Sequence, residues 1–127
     1  MNSDPDKFSV KKRLTSFKYA FSGLKSLLLF EHNSRIHLIA AILAAILGIV
    51  LKISATEWSL VVLVIGFVFA AELFNSAIEK LADVVSPEHN EMIKRIKDYC
   101  AASVLVSSIA ALLIGVIIFV PKILRLI

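Results

Sequence analysis

The chain has 127 residues, 58% of them hydrophobic and 19% charged, with a formal net charge of +4 at pH 7. Soluble domains use roughly 45 to 50% apolar residues, so this composition excludes an ordinary soluble domain and points to a membrane protein. Apolar runs of spanning length leave no room for a separate soluble catalytic domain, so any active site must be built from the helices and their ends.

Met1 to Lys7 is polar, contains Pro5, and reads as a loose tail. No cleavable signal peptide is expected, because the N-terminal stretch is charged and interrupted rather than a short apolar core before a small-residue site. Residues 8–30 predict an amphipathic surface helix. Leu14, Phe17, Phe21, Leu24 and Leu28 recur at spacings of three and four, while Lys11, Lys12, Lys18, Ser22 and Lys25 fall mainly elsewhere. Such a helix lies in the membrane surface with its lysines near anionic head groups.

Glu31-His32-Asn33-Ser34-Arg35 interrupts the apolar pattern, and 36–53 predicts a first span whose only strongly polar residue before Lys52 is His37. Eighteen residues of helix from Ile36 to Ile53 reach about 27 Å, a minimal crossing. Ala40, Ala41, Ala44, Ala45 and Gly48 permit close helix approach. Ser54-Ala55-Thr56-Glu57 is expected to be a tight connection, with Trp58 as an interfacial aromatic. A second span over 58–84 ends near Ser86-Pro87, because proline disfavours helical geometry in its predecessor. Residues 86–97 are expected as a polar cytoplasmic loop and 99–120 as a third span rich in small residues, which Pro121 stops or kinks. Cys100, the single cysteine, has no metal-ligand spacing around it and reads as a packing residue. The expectation is one all-α membrane domain over 1–127.

Lysine and arginine positions orient it. Lys7, Lys11, Lys12, Arg13, Lys18, Lys25, Arg35, Lys80, Lys94, Arg95 and Lys97 fall on one side, and Lys52, Lys122 and Arg125 on the other, accounting for all 14. The positive-inside rule then places the N-terminus and the second loop in the cytoplasm.

The second span carries Glu72, Asn75, Glu79 and Asp83. Their spacing puts all of them on one helical stripe less than about 90° wide. With Trp58 at the outer interface, Glu72 lies roughly 21 Å into a hydrocarbon core of about 30 Å, and Glu79 at about 31 Å. An acidic stripe inside a bilayer is a functional-site hypothesis in its own right. Glu31 and Arg35 open the first span at the same boundary, and Lys97 and Asp98 open the third. A buried carboxylate is suited to take a proton from a hydroxyl. Carboxylates at the wet edge can hold magnesium, which prefers oxygen ligands and keeps several waters. Lysine beside them can neutralise phosphate charge in transfer. The bland alternative is a set of structural ion pairs with Lys80, Lys97 or Arg35. A different class, a proton-coupled transporter or channel, also uses a buried Glu, but here the polar residues gather at one end instead of lining a through-path. Only four glycines occur, Gly23, Gly48, Gly66 and Gly115, so neither a phosphate loop nor a kinase glycine-rich loop is possible. A kinase on this chain must bind ATP through metal and side chains.

The run Glu72-Leu73-Phe74-Asn75-Ser76-Ala77-Ile78-Glu79, with Asp83 four residues on and Lys97-Asp98 leading the third span, resembles the prokaryotic integral-membrane diacylglycerol kinase and undecaprenol kinase family. The likeness covers nearly the whole chain. Glu31-His32-Asn33-Ser34-Arg35-Ile36-His37 is similar to the undecaprenol kinase branch. The resemblance implies a homotrimer of three-span subunits with a surface helix, in the bacterial cytoplasmic membrane, with composite sites shared between subunits. It implies Glu72 as general base and Glu31 and Glu79 as Mg2+ ligands that also hold the nucleotide. Lys97 would contact ATP phosphates, with Asp98 and Asp83 supporting the nucleotide. Asn75, Arg35 and Ser76 would order the site or meet substrate, Arg35 being balanced between phosphate contact and membrane anchoring. Ile96 and Tyr99-Cys100 stand where the family pattern has smaller residues. His37 and His89 are read first as solvated interfacial groups, with substrate contact as the alternative. The expected activity is ATP-dependent phosphorylation of a membrane lipid hydroxyl, undecaprenol first and diacylglycerol second, with no nucleic-acid partner.

Overall fold

A computed structural model describes residues 8–127 of the chain, so the expected tail over Met1 to Lys7 lies outside the described residues. Four helices follow in order: α1 Val10–Phe30, α2 His32–Val50, α3 Ala55–Val85 and α4 Glu91–Leu124. The last three are each long and apolar enough to cross a membrane, and the chain is a multi-pass membrane protein.

Three of the four helices, α1, α3 and α4, begin at a side-chain cap, whereas α2 follows Glu31 with no such cap. The Ser9 hydroxyl accepts from the Lys12 N–H at the start of α1. A single residue, Glu31, in extended geometry separates α1 from α2, and its N–H still donates to Leu27 O at 2.9 Å. The turn between α2 and α3 is Leu51-Lys52-Ile53-Ser54, with Lys52 at φ 49° in the left-handed region. The expected connection at 54–57 is therefore corrected: Ala55 to Glu57 form the first turn of α3. The reason is a capping box, in which the Ser54 N–H donates to Glu57 Oε2 at 2.7 Å and the Glu57 N–H to Ser54 Oγ at 3.2 Å. Likewise the expected loop over 86–97 shrinks to Ser86–Asn90, because the Asn90 side chain accepts from the Met92 and Ile93 N–H groups at 2.9 and 3.2 Å and starts α4 at Glu91. The polar residues His32 to Arg35 form the opening of α2 rather than a break before it. Pro121 does not end α4, which runs on to Leu124.

Side-chain pairs fix the helix directions. Glu57 at the start of α3 pairs with Lys122 at the end of α4 at 3.2 Å, and Asp83 near the end of α3 with Lys97 near the start of α4 at 3.0 Å, so α3 and α4 are antiparallel. They form the principal packed pair of the fold, and α2 rests on them more lightly. Beside the α2–α3 turn, Ile53, Val61, Ile118 and Phe119 form a small buried core with Trp58, Ala44 and Ile114 against it. Gly48 lets α2 reach this core. A Cβ there would stand 2.7 Å from the Trp58 ring, closer than carbon atoms approach. The opposite end of the bundle collects Glu31, Lys80, Asp83, Lys97 and Asp98 and is called the polar end below.

Candidate active site

Glu72 is only 3% exposed, on the face of α3 turned toward α2. There it meets His37, whose Nε2 lies 3.2 Å from Glu72 Oε1. The pair is close, yet the ring N–H is not aimed along the contact, and Oε1 has no hydrogen-bond partner. Asn75 Oδ1 and Ser34 Oγ are also buried and unpartnered. Asn75 follows Glu72 by three residues and Ser34 precedes His37 by three. Because α2 and α3 run in opposite senses, both steps lead one helical turn toward the polar end. These residues therefore form a short polar seam between two helices. Buried polar atoms without partners are uncommon in native structures and call for an explanation, such as a catalytic role or a bound water or ion.

One or two turns further out the charges begin. Lys80 Nζ sits 2.6 Å from Glu31 Oε1 and ties α3 to the α1–α2 junction. Glu79 is half-buried, and its charge reaches Lys97. Lys97 binds Asp83 across the α3–α4 hairpin, whereas Asp98 binds Lys94 on its own helix at 3.0 Å. Asp83, Lys97, Asp98, Lys94 and His89 line a polar cleft of about 300 Å3 beside the Ser86–Asn90 loop. His89 itself faces Glu91 at 2.8 Å and is exposed. Ser76 is buried and lines a cleft between α1 and α3 with Gly23, Leu27 and Lys80. Ile96 and Tyr99, the bulky departures from the family pattern, are exposed on α4.

Arg35 takes a task that neither expected role described. Its Nε donates to Leu28 O at 2.9 Å, and its terminal nitrogen donates to Leu29 O. A guanidinium on the last carbonyls of α1 satisfies groups the helix leaves unpaired and faces the negative end of its dipole.

Among the described residues, no three acidic, histidine or cysteine side chains converge to hold a metal ion by themselves. Magnesium does not require that, since it is commonly held by one or two carboxylates together with phosphate oxygens and water. Glu31 meets Lys80 through Oε1, which leaves its second oxygen, and separately the Glu79 carboxylate, as oxygen donors of the hard type that Mg2+ takes.

The arrangement thus joins a buried acid, able to handle a proton away from water, to a wet rim of paired charges able to hold phosphates. Sequence reasoning placed Glu72, Glu31, Lys97 and Asp83 at this end of the molecule. It missed the pairing of His37 with Glu72, although His37 is the lone strongly polar residue of its apolar run and Glu72 the first of the next. It also missed Ser34, whose hydroxyl had no distinguishing sequence signal.

A model of the family described as prokaryotic diacylglycerol kinase matches residues 18–119, a stretch that includes every candidate site residue. The chain belongs to that family. Members of the prokaryotic diacylglycerol kinase family are lipid kinases, and this chain is accordingly an ATP-dependent lipid kinase. It is similar to the undecaprenol kinase of Bacillus subtilis, with 33% identity over 96% of this chain and 99% of that protein. It is also similar to the diacylglycerol kinase of Escherichia coli K12, with 30% identity over 75% of this chain and 78% of that protein. The diacylglycerol kinase of Synechocystis is 31% identical over 89% of this chain and 65% of its own length.

Proposed function

We propose that this chain is an undecaprenol kinase of the bacterial cytoplasmic membrane, working as a homotrimer with its N-terminus in the cytoplasm. The observation that carries the chemistry is the Glu72 carboxylate, held out of water beside His37 with a free oxygen lone pair. Undecaprenol is favoured as the acceptor because the likeness to an undecaprenol kinase extends over nearly the full length of both chains. Diacylglycerol, the lipid in the names of the other two relatives, is the second reading.

The lipid hydroxyl oxygen attacks the γ-phosphorus of ATP as its proton passes to Glu72. The new lipid O–P bond forms as the bond from phosphorus to the bridging oxygen breaks, and ADP leaves with that electron pair. Glu31 and Glu79 would hold Mg2+, which would neutralise phosphate charge when bound. Lys97 adds positive charge at the phosphates, with Asp83 setting its position through their 3.0 Å pair. Asp98 orders Lys94 at the rim of the nucleotide cleft. Asn75, one turn below Glu72, keeps the polar seam aligned. Arg35 ties α1 to α2 through the Leu28 and Leu29 carbonyls, Ser76 faces the cleft between α1 and α3, and the basic residues of α1 keep it at anionic head groups. Burial of Glu72 excludes water as a competing acceptor.

Supplying the purified protein with undecaprenol and diacylglycerol in the same detergent, with labelled ATP and Mg2+, tests this. Label is expected mainly in undecaprenyl phosphate. Equal or faster labelling of diacylglycerol would assign the chain to the second reading.

A further inference from the structure

We infer that His37 is a positioning residue for phosphoryl transfer, holding the Glu72 carboxylate so that its free lone pair faces the acceptor hydroxyl. This rests on Glu72 being the proton acceptor, as proposed above. A carboxylate so deeply buried takes its orientation from what touches it, because electrostatic contacts are strong where water is excluded. The neighbouring cations are otherwise engaged: Lys80 on the same helix by Glu31, and Lys97 and Lys94 on α4 by Asp83 and Asp98. That leaves the imidazole entering from α2, at 3.2 Å. His37 in turn has apolar surroundings on its other side. It stands over a cavity of about 100 Å3 between α2, α3 and α4 whose walls include Ala40, Ala44, Val68 and Gly115. The polar partner of its ring is Glu72. The contact is near hydrogen-bond length without hydrogen-bond alignment, a geometry that catalytic pairs show before substrate binds and that tightens in the reacting complex. A small misplacement of a reacting group costs about 100-fold in rate, so loss of this support is expected to lower kcat by about 10- to 100-fold.

The test compares wild type, His37→Ala, His37→Gln, Glu72→Gln and the His37→Ala/Glu72→Gln pair, each in detergent with undecaprenol, ATP and Mg2+. His37→Ala is expected to lower kcat with the KM for ATP nearly unchanged. His37→Gln, which keeps an N–H donor, is expected to recover a substantial part. In the Glu72→Gln background His37→Ala should cost nothing more, as for groups that act as a unit. Unchanged kcat in His37→Ala, a loss confined to the lipid KM, equal losses for Ala and Gln, or additive losses would each overturn the inference. A Glu72→Gln protein as active as wild type would instead remove the reading beneath it. A measurement independent of turnover uses 15N-histidine-labelled protein, in which His32, His37 and His89 are the only three labels. Glu72→Gln is expected to displace the His37 ring resonances and leave the other two in place. An undisplaced His37 signal overturns the proposal even if every His37 variant fails to fold.

Discussion

At Glu72 the chain places an ionisable group where burial is expensive, and the group facing its Oε1 at 3.2 Å is a histidine from the neighbouring helix rather than a lysine. If Glu72 is the proton acceptor, Glu72→Gln should lower kcat by about 10^2- to 10^4-fold, the usual worth of a positioned general base, with the KM for ATP within about two-fold. Glu79→Gln should weaken MgATP as well, since it removes a donor to the ion. Steady-state kinetics on both variants check this, and matching losses of nucleotide affinity would contradict the division of roles. A second residue-scale prediction concerns packing. Gly48→Ala drives a methyl into the Trp58 ring and should destabilise the bundle by about 1–3 kcal/mol. Thermal unfolding in detergent measures that loss, and Gly48→Ala combined with Trp58→Leu should regain most of it. These two sites explain what was legible in the sequence. The depth of Glu72 follows from its distance along the helix from Trp58, a local count. Its meeting with His37 depends on how α2 is rotated against α3, a relation made by contacts between helices, such as Gly48 against Trp58, that spacing within either helix does not encode.

Helix ends position the rim of the site. The expected loop over 86–97 takes in Lys94 and Lys97, and Asp98 stands just beyond it at the head of the expected third span. The structure puts them on the first turns of α4, where helical spacing aims Lys94 and Asp98 at each other and lets Lys97 reach Asp83. The signal that would have found this was Asn90 followed by Glu91, a cap and an acidic first-turn residue. Removing the cap should therefore be felt at the nucleotide. Asn90→Ala is expected to destabilise the start of α4 by about 1 kcal/mol and to raise the KM for ATP more than it lowers kcat. Hydrogen exchange at Met92 and Ile93 reports the fraying directly, and unchanged protection there would sink the prediction. The same error arises at Ser54-Ala55-Thr56-Glu57, where a capping box reads as a connection. In both places the span itself was legible from its apolar length, whereas the boundary was decided by one or two hydrogen bonds from a side chain to the backbone.

Across the whole molecule, apolar side chains face outward far more than inward: Phe67, Phe74 and Leu112 are each more than 60% exposed, while the compact core lies opposite the polar end, beside the Glu57–Lys122 pair. Lipid covers some of this surface. The light seating of α2 on the α3–α4 pair also fits a helix that finishes its packing against another subunit. Native mass spectrometry from detergent is expected to find trimers, and a fully active monomer would remove the homotrimer from the proposal. The junction of α1 and α2 carries a further consequence. A lone residue, Glu31, joins a helix suited to the head-group layer to a helix that crosses the acyl chains, and Arg35 straps the two together. With no slack at that elbow, any rise or fall of the amphipathic arm must swing the Glu31 carboxylate with it. Turnover should therefore peak sharply across a series of phosphatidylcholines of graded chain length. The bilayer's own thickness would act as a tuning knob, with Glu31 as the part that moves.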